Sequence, residues 1–222
     1  MVIVEPRNPV YWLAKKMIPV VNRLFLGNVR GLEHVPSRGP FILASNHVSV
    51  PDGWLLANAV IAKTGQSIWF IARDDFWTTQ WWTRAVALLL PAILIDWRKP
   101  WGVIDRAANI ARSGGIIGIF PEGTRNTHPD ELMLGKTGAA RIAIRSGAPI
   151  IPVGYRGPEI TRFRDILRNF VFSRRVATLT FGAPIVFPKS DGRMSQEELF
   201  RATDTIMKAI AAVSGKRARL HN

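Results

Sequence analysis

Short apolar runs bounded by turn residues recur along this chain, and longer stretches with helical periodicity lie between them. The runs predict six strands, at residues 41–44, 68–72, 92–95, 116–120, 150–153 and 176–181. The longer stretches predict helices at residues 54–63, 76–89, 101–112, 136–145 and 196–213. Because the strands lack a polar face, the pattern indicates a mainly parallel or mixed sheet with helices on both sides. We therefore predict a single α/β domain.

The N-terminal region has a different pattern, that of an amphipathic helix over residues 10–26 that ends before Gly27. Basic residues interrupt its apolar side chains, and Glu5 stands where a signal peptide would be basic, so we expect no cleaved signal peptide. The helix would lie in a membrane plane or pack against the domain, and the pattern leaves both open.

A membrane-spanning helix is not expected. The longest uncharged apolar run, residues 85–95, contains Pro91, and its eleven residues fall well short of the roughly 20 that a bilayer span needs. The chain is thus predicted to have three parts: a membrane-associating segment at residues 1–30, a folded domain at 31–215, and a frayed basic tail at 216–222.

The charge of the chain favours anionic partners. Thirty Lys and Arg against 16 Asp and Glu give a formal charge of +14, which suits nucleic acid, an anionic bilayer or a phosphorylated substrate. Eight Trp residues among basic side chains favour a bilayer interface, although the same residues could belong to a core. The chain has no Cys, which excludes disulfides, a thiolate nucleophile and a Cys-based zinc site.

A polar cluster follows the first predicted strand, running from Asn46 and His47 to Asp52. Pro51 prevents an uninterrupted helix, so the cluster is expected to form a turn that leads into a helix, with Ser49 as a candidate cap. In a tight turn the Asp52 carboxylate would accept a hydrogen bond from one ring nitrogen of His47, leaving the other nitrogen to take a proton. The alternative is that Asp52 only caps the helix and His47 is an ordinary loop residue.

A second cluster, residues 120–125, follows the strand predicted at 116–120. Gly123 permits close backbone approach, while Thr124 and Arg125 supply donors suited to a phosphate. An exposed β-turn with charged side chains would explain the same residues. Because ligands of such sheets gather at the carboxyl ends of the strands, the two clusters are expected to face one site.

Together these clusters resemble the lysophosphatidic acid acyltransferases and related glycerolipid acyltransferases of the PlsC type. The segment from Asn46 to Asp52 is similar to the NHxxxxD block of that family, and residues 120–125 match its FPEGTR block residue for residue. Residues 68–73 and 148–153 are similar to two further blocks, so the resemblance covers about residues 31–182.

The resemblance implies the roles of the site residues. His47 would be the general base on an acceptor hydroxyl, oriented by Asp52, and the hydroxyl would attack the thioester of acyl-CoA or acyl-carrier protein without a covalent acyl-enzyme. The residues expected to bind the substrate are Arg73, Glu122, Gly123, Thr124 and Arg125. Glu122 is alternatively structural, and Arg73 stands where the family often has Lys, so it would meet either phosphate or the thioester oxyanion.

The expected reaction is acylation of lysophosphatidic acid to phosphatidic acid by a peripheral or monotopic protein on the cytoplasmic side of a membrane. The expected partners are an anionic membrane surface, the lysophospholipid and the acyl donor, with no cofactor, no metal and no nucleic acid. Glycerol phosphate, another lysolipid or a glycolipid remain open as acceptors.

Interpretations of the chain as another class of protein explain fewer of these features. A non-enzymatic membrane or nucleic-acid binder would account for the charge but leaves the two clusters without a role. A metal-dependent hydrolase would use His47, Asp52 and Glu122 as ligands, although the other three His residues lack metal-binding spacing.

Overall fold

The computed structural model describes residues 26–49, 51–73, 92–95, 101–159, 165, 177–190 and 194–221. Within these ranges the chain forms one mixed seven-stranded sheet with the order β1-β7-β6-β2-β5-β3-β4. Its strands are β1 (Leu26–Arg30), β2 (Phe41–Ser45), β3 (Ile68–Arg73), β4 (Ala92–Ile95), β5 (Ile116–Ile119), β6 (Ile150–Arg156) and β7 (Ala177–Phe181). The strands β6, β2, β5, β3 and β4 run parallel, and β7 pairs antiparallel with β6. The predicted α/β fold is confirmed.

Both faces of the sheet are buried, as the absence of a polar strand face predicts. In β2, Phe41 and Leu43 point into one hydrophobic cluster, while Ile42 and Ala44 point into the other. Successive side chains alternate between the two faces of a strand, so each face receives apolar residues from β2. All five residues of β2 are buried. This central strand therefore fixes the position of the polar residues that follow it.

Helices cover the two faces. They are α1 (Asp52–Thr64), α2 (Trp101–Arg112), α3 (Gly138–Ser146) and α4 (Gln196–Ser214). Helix α1 packs on the face that holds Phe41, and α2, α3 and α4 pack on the opposite face. These four helices are within two residues of their predicted limits, whereas the helices predicted at residues 10–26 and 76–89 fall wholly or almost wholly outside the described residues. Within the described ranges, no helix combines the length and the hydrophobicity that crossing a membrane requires.

Strand β1 corrects the predicted boundary of the N-terminal segment. Leu26 to Arg30 pair in parallel with β7 and belong to the sheet, not to a helix or to a separate segment that ends at residue 30. The strand escaped prediction because it lies at the edge of the sheet and only Leu26 is buried, so it lacks an apolar run.

The prediction of a frayed C-terminal tail is wrong, because the tail is hydrogen-bonded to the domain. The Arg217 N–H donates to the Asp130 carbonyl at 2.8 Å, and the Leu132 N–H donates to the Arg217 carbonyl at 2.8 Å. Nearby, the Lys216 ammonium donates to the His128 carbonyl at 2.5 Å. The tail thus holds the segment that follows the second polar cluster.

Candidate active site

The two polar clusters lie side by side at the carboxyl edge of the sheet. Asn46 and His47 directly follow β2, and Phe120 directly follows β5. These strands are hydrogen-bonded neighbours in parallel register, so their ends bring the loops together. The Asn126 N–H donates to the His47 carbonyl at 2.7 Å, which joins the loops directly. The two clusters therefore lie next to each other, as the prediction of one shared site requires.

His47 and Asp52 form the predicted hydrogen-bonded pair. The Nδ1 atom of His47 is 2.9 Å from both carboxylate oxygens of Asp52. The His47 side chain is 23% exposed, whereas that of Asp52 is 1% exposed. Because Nδ1 faces the buried carboxylate, the neutral ring carries its proton on Nδ1 and leaves Nε2 as the basic atom. This geometry suits a base and its orienting group, and these catalytic roles of His47 and Asp52 stay predictions.

Backbone N–H groups hold the Asp52 carboxylate in place. One oxygen accepts from Val48 at 2.8 Å and from Ser49 at 3.0 Å, and the other accepts from Gly53 at 2.6 Å. These donors satisfy the hydrogen-bonding capacity of the buried carboxylate. The predicted capping role of Ser49 is wrong, since Pro51 occupies the N-cap position and no side chain caps the helix. The carboxylate of Asp52 itself binds the turn, so it both closes the turn and orients His47.

Glu122 connects the second cluster to the first. Its carboxylate accepts from the His47 N–H at 3.2 Å, from the Asn126 side-chain amide at 2.7 Å and from the Met133 N–H at 2.8 Å. Glu122 is 2% exposed. Three protein donors thus use a carboxylate that was expected to bind the substrate. Its geometry supports the structural alternative, in which Glu122 positions the backbone of His47.

Asn126, which directly follows the second cluster, was not predicted as a site residue. Its side-chain amide donates to Glu122 and, at 2.8 Å, to the Glu131 carbonyl, while its Oδ1 accepts from the His128 N–H at 3.0 Å. Asn126 is 7% exposed. Its position after the FPEGTR block is the sequence signal that could have revealed it.

Asn46 extends the pairing of β2 with β6 beyond the last strand residue. Its side-chain amide donates to the Tyr155 carbonyl at 3.0 Å, and its Oδ1 accepts from the Tyr155 N–H at 2.7 Å. Burial raises the pKa of the Tyr155 hydroxyl, and the nearby Asp52 carboxylate raises it further. The phenol therefore stays neutral. Asn46 anchors the backbone immediately before His47.

An aromatic side chain forms the wall behind His47. The Phe120 ring stacks on the imidazole with a centroid separation of 4.1 Å and an interplanar angle of 18°. Phe70 lies behind it at 6.1 Å. Gly118 provides room for Phe70, since a β-carbon there would lie 2.5 Å from that ring. The stack limits the imidazole to one ring plane.

The remaining predicted substrate-binding residues are Gly123, Thr124 and Arg125 of the second cluster, and Arg73. Thr124 and Arg125 are exposed, and Gly123 has a left-handed φ of 73°. Arg73 is the last residue of β3, at the same edge of the sheet, and its side chain lies outside the described part of the structure. The roles of these four residues in substrate binding stay predictions.

A metal site built on His47, Asp52 and Glu122 does not suit this arrangement. Both carboxylates accept hydrogen bonds from several N–H groups, and His47 directs Nδ1 at Asp52. Across the described ranges, no three His, Asp or Glu side chains are grouped as metal ligands. Oxygens occupied by N–H donors are poorly disposed to coordinate a cation.

The fold and site define an α/β protein with a histidine–carboxylate pair at the carboxyl edge of its sheet. A profile of the Acyltransferase family matches residues 27–156. The chain belongs to this family.

Several known proteins resemble the chain. The 1-acyl-sn-glycerol-3-phosphate acyltransferase of Bacillus subtilis is 24% identical over 85% of this chain and 88% of its own length. The chloroplastic enzyme BAT2 of Brassica napus is 29% identical over 59% of this chain, and the human alpha enzyme 28% identical over 56%. The match spans only 37% of the Brassica protein and 44% of the human protein.

A solved structure shares the fold. The crystal structure of the 1-acyl-sn-glycerophosphate (LPA) acyltransferase PlsC from Thermotoga maritima superposes with a TM-score of 0.59 and 21% sequence identity. The superposition covers 96% of this chain and 82% of that chain.

Proposed function

We propose that this protein transfers a fatty acyl chain from acyl-CoA or acyl-carrier protein to the free hydroxyl of lysophosphatidic acid, producing phosphatidic acid. The proposal is supported above all by the His47–Asp52 pair, in which the contact of Nδ1 with a buried carboxylate leaves Nε2 of a partly exposed imidazole as the basic atom. The similarity to relatives named as 1-acyl-sn-glycerol-3-phosphate acyltransferases supports the choice of acceptor.

The chemistry needs no covalent acyl-enzyme. His47 Nε2 takes the proton of the acceptor hydroxyl as its oxygen attacks the thioester carbonyl carbon. When the tetrahedral intermediate collapses, the C–O bond remains, the C–S bond breaks, and the proton passes from His47 to the leaving thiolate. A thioester is already activated, so a positioned base, worth about 10²- to 10⁴-fold in rate, is the main requirement.

The exposed part of the second cluster would bind the acceptor phosphate. Arg125 offers a planar fork of donors that suits phosphate oxygens, and Thr124 adds a hydroxyl. Arg73 would add a further cation from the end of β3, for the phosphate or for the thioester oxyanion. Glu122, which holds the His47 N–H, would not contact the substrate.

We test this function with a panel of acceptors and donors offered to the purified protein. The acceptors are lysophosphatidic acid, glycerol 3-phosphate, another lysophospholipid and a glycolipid, each with acyl-CoA or acyl-carrier protein. The expected result is thiol release that depends on lysophosphatidic acid, with phosphatidic acid identified by mass. Thiol release that is equal without any acceptor would identify a thioester hydrolase and contradict the proposal.

A membrane surface on the cytoplasmic side is the proposed location of the reaction, because the acceptor resides in a bilayer. Around the site the described residues expose large apolar side chains, namely Trp54, Met133 and Leu134, at 37%, 39% and 45%. Together with the charge of +14, these side chains suit an anionic interface. We expect the protein to sediment with anionic vesicles and to be released by salt. Equal sedimentation with anionic and uncharged vesicles would contradict this.

A further inference from the structure

The side chain of Lys136 lies across the backbone of Gly123. A β-carbon placed on Gly123 would be 2.7 Å from Lys136 Nζ, 2.8 Å from its Cε and 2.9 Å from its Cδ. These distances are far below normal contact, so any other residue at position 123 would displace the lysine. The left-handed φ of 73° at Gly123 already favours glycine. The glycine of the second cluster therefore leaves space for an ammonium group.

The backbone holds Lys136 at this place. Its N–H donates to the Pro121 carbonyl at 2.8 Å, and the Gly123 N–H donates to the Phe120 carbonyl at 2.9 Å. Lys136 is thus joined to the turn of the second cluster from a position 13 residues further along the chain. A rearrangement of this turn would move the ammonium with it.

The turn that carries this ammonium also borders the base. Phe120, at its start, stacks on His47 at 4.1 Å, and Glu122 accepts from the His47 N–H. Arg125, at its end, is exposed, as is Lys136. Two cations therefore lie on the open side of a turn whose buried side positions His47.

We propose that Lys136 is a further phosphate-binding residue and makes the site prefer a phosphorylated acceptor. The inference rests on the proposed function. An ammonium over a glycine turn can donate to a phosphate oxygen as a point charge, while the Arg125 guanidinium binds in a forked geometry. The two cations would hold the phosphate while the free hydroxyl of the acceptor faces His47.

The test compares Lys136→Met with Lys208→Met, which removes one exposed charge from α4. The expected result is a KM for lysophosphatidic acid about 5- to 30-fold higher in Lys136→Met, with kcat within twofold, because a phosphate contact acts equally in ground and transition states. The inhibition constant of glycerol 3-phosphate should rise by a similar factor. Lys208→Met should match wild type, and Lys136→Arg should recover part of the loss.

The kinetic results distinguish an error in the role of Lys136 from an error in the proposed function. If wild type acylates lysophosphatidic acid and Lys136→Met has the same KM and inhibition constant as Lys208→Met, the phosphate role is wrong. A higher KM for acyl-CoA with an unchanged KM for lysophosphatidic acid would place the ammonium at the donor and would also overturn it. If wild type forms no phosphatidic acid, the proposed function itself fails. Equal melting temperatures establish that the variants are folded.

Discussion

The Glu122 carboxylate accepts a hydrogen bond from the backbone N–H of His47 at 3.2 Å. A buried acid in one loop therefore fixes the main chain of the catalytic candidate in the other. The same carboxylate holds Met133, so three parts of the chain meet at one acidic group. The position of the imidazole depends on this junction as well as on Asp52.

Replacement of Glu122 by Gln should impair both stability and activity. The glutamine side chain would turn its NH₂ group towards N–H groups that now donate to the carboxylate. A buried donor would then have no acceptor. We expect a loss of about 1–3 kcal/mol in unfolding free energy, or roughly 2–10 °C in melting temperature for a domain of this size.

Glu131→Gln is the matched control, because Glu131 contributes its backbone carbonyl, not its side chain, to the contact with Asn126. Calorimetry and steady-state kinetics on both variants decide the matter. Equal stability and activity in the two variants would contradict the positioning role of Glu122.

Replacement of Asn46 by Ala should remove the hydrogen bonds that join the segment before His47 to β6. The substitution removes both hydrogen bonds to the Tyr155 backbone and leaves that buried N–H and carbonyl unpaired. We expect unfolding free energy to fall by about 1–3 kcal/mol and kcat to fall by about 10- to 100-fold through misplacement of the base. Denaturant unfolding and initial rates measure these effects.

The exposed Asn109 of α2 provides a comparison, since Asn109→Ala should change stability by no more than about 0.5 kcal/mol. Wild-type kcat in a folded Asn46→Ala protein would show that the pairing with Tyr155 has no part in positioning the base.

The C-terminal tail should affect activity from outside the site. Arg217→Pro removes the N–H that donates to Asp130, whereas Arg217→Ala keeps it. Because this pairing holds the segment that presents the Met133 N–H to Glu122, we expect the proline variant alone to lose activity, by about 10-fold. Rates and melting curves for the pair provide the check, and identical behaviour would mean that the tail does not support the site.

Much of the sheet is readable from the sequence because both of its faces are buried. The apolar runs of β2 and β5 leave no polar face, and this is what predicts a covered, mainly parallel sheet. Strand β1 could not be found in the same way, since edge pairing uses backbone groups and requires few buried side chains. The tail was missed for the same reason, because Arg217 pairs through its N–H and carbonyl.

The site was predictable where side chains meet over a short separation. Four residues separate His47 from Asp52, and Pro51 among them forces a turn, which was enough to predict their contact. The contacts of Glu122 and Asn46 were not predictable, because each side chain binds the backbone of a distant segment. Almost every residue type supplies the same backbone groups, so the sequence does not identify such partners.

The most direct measurement is the rate of lysophosphatidic-acid-dependent thiol release by purified His47→Ala, compared with His128→Ala, which removes an exposed histidine. We expect a loss of at least about 10²-fold for His47→Ala, with a native melting curve, and a rate near wild type for His128→Ala. Wild-type turnover by folded His47→Ala would contradict the role of the imidazole as the base.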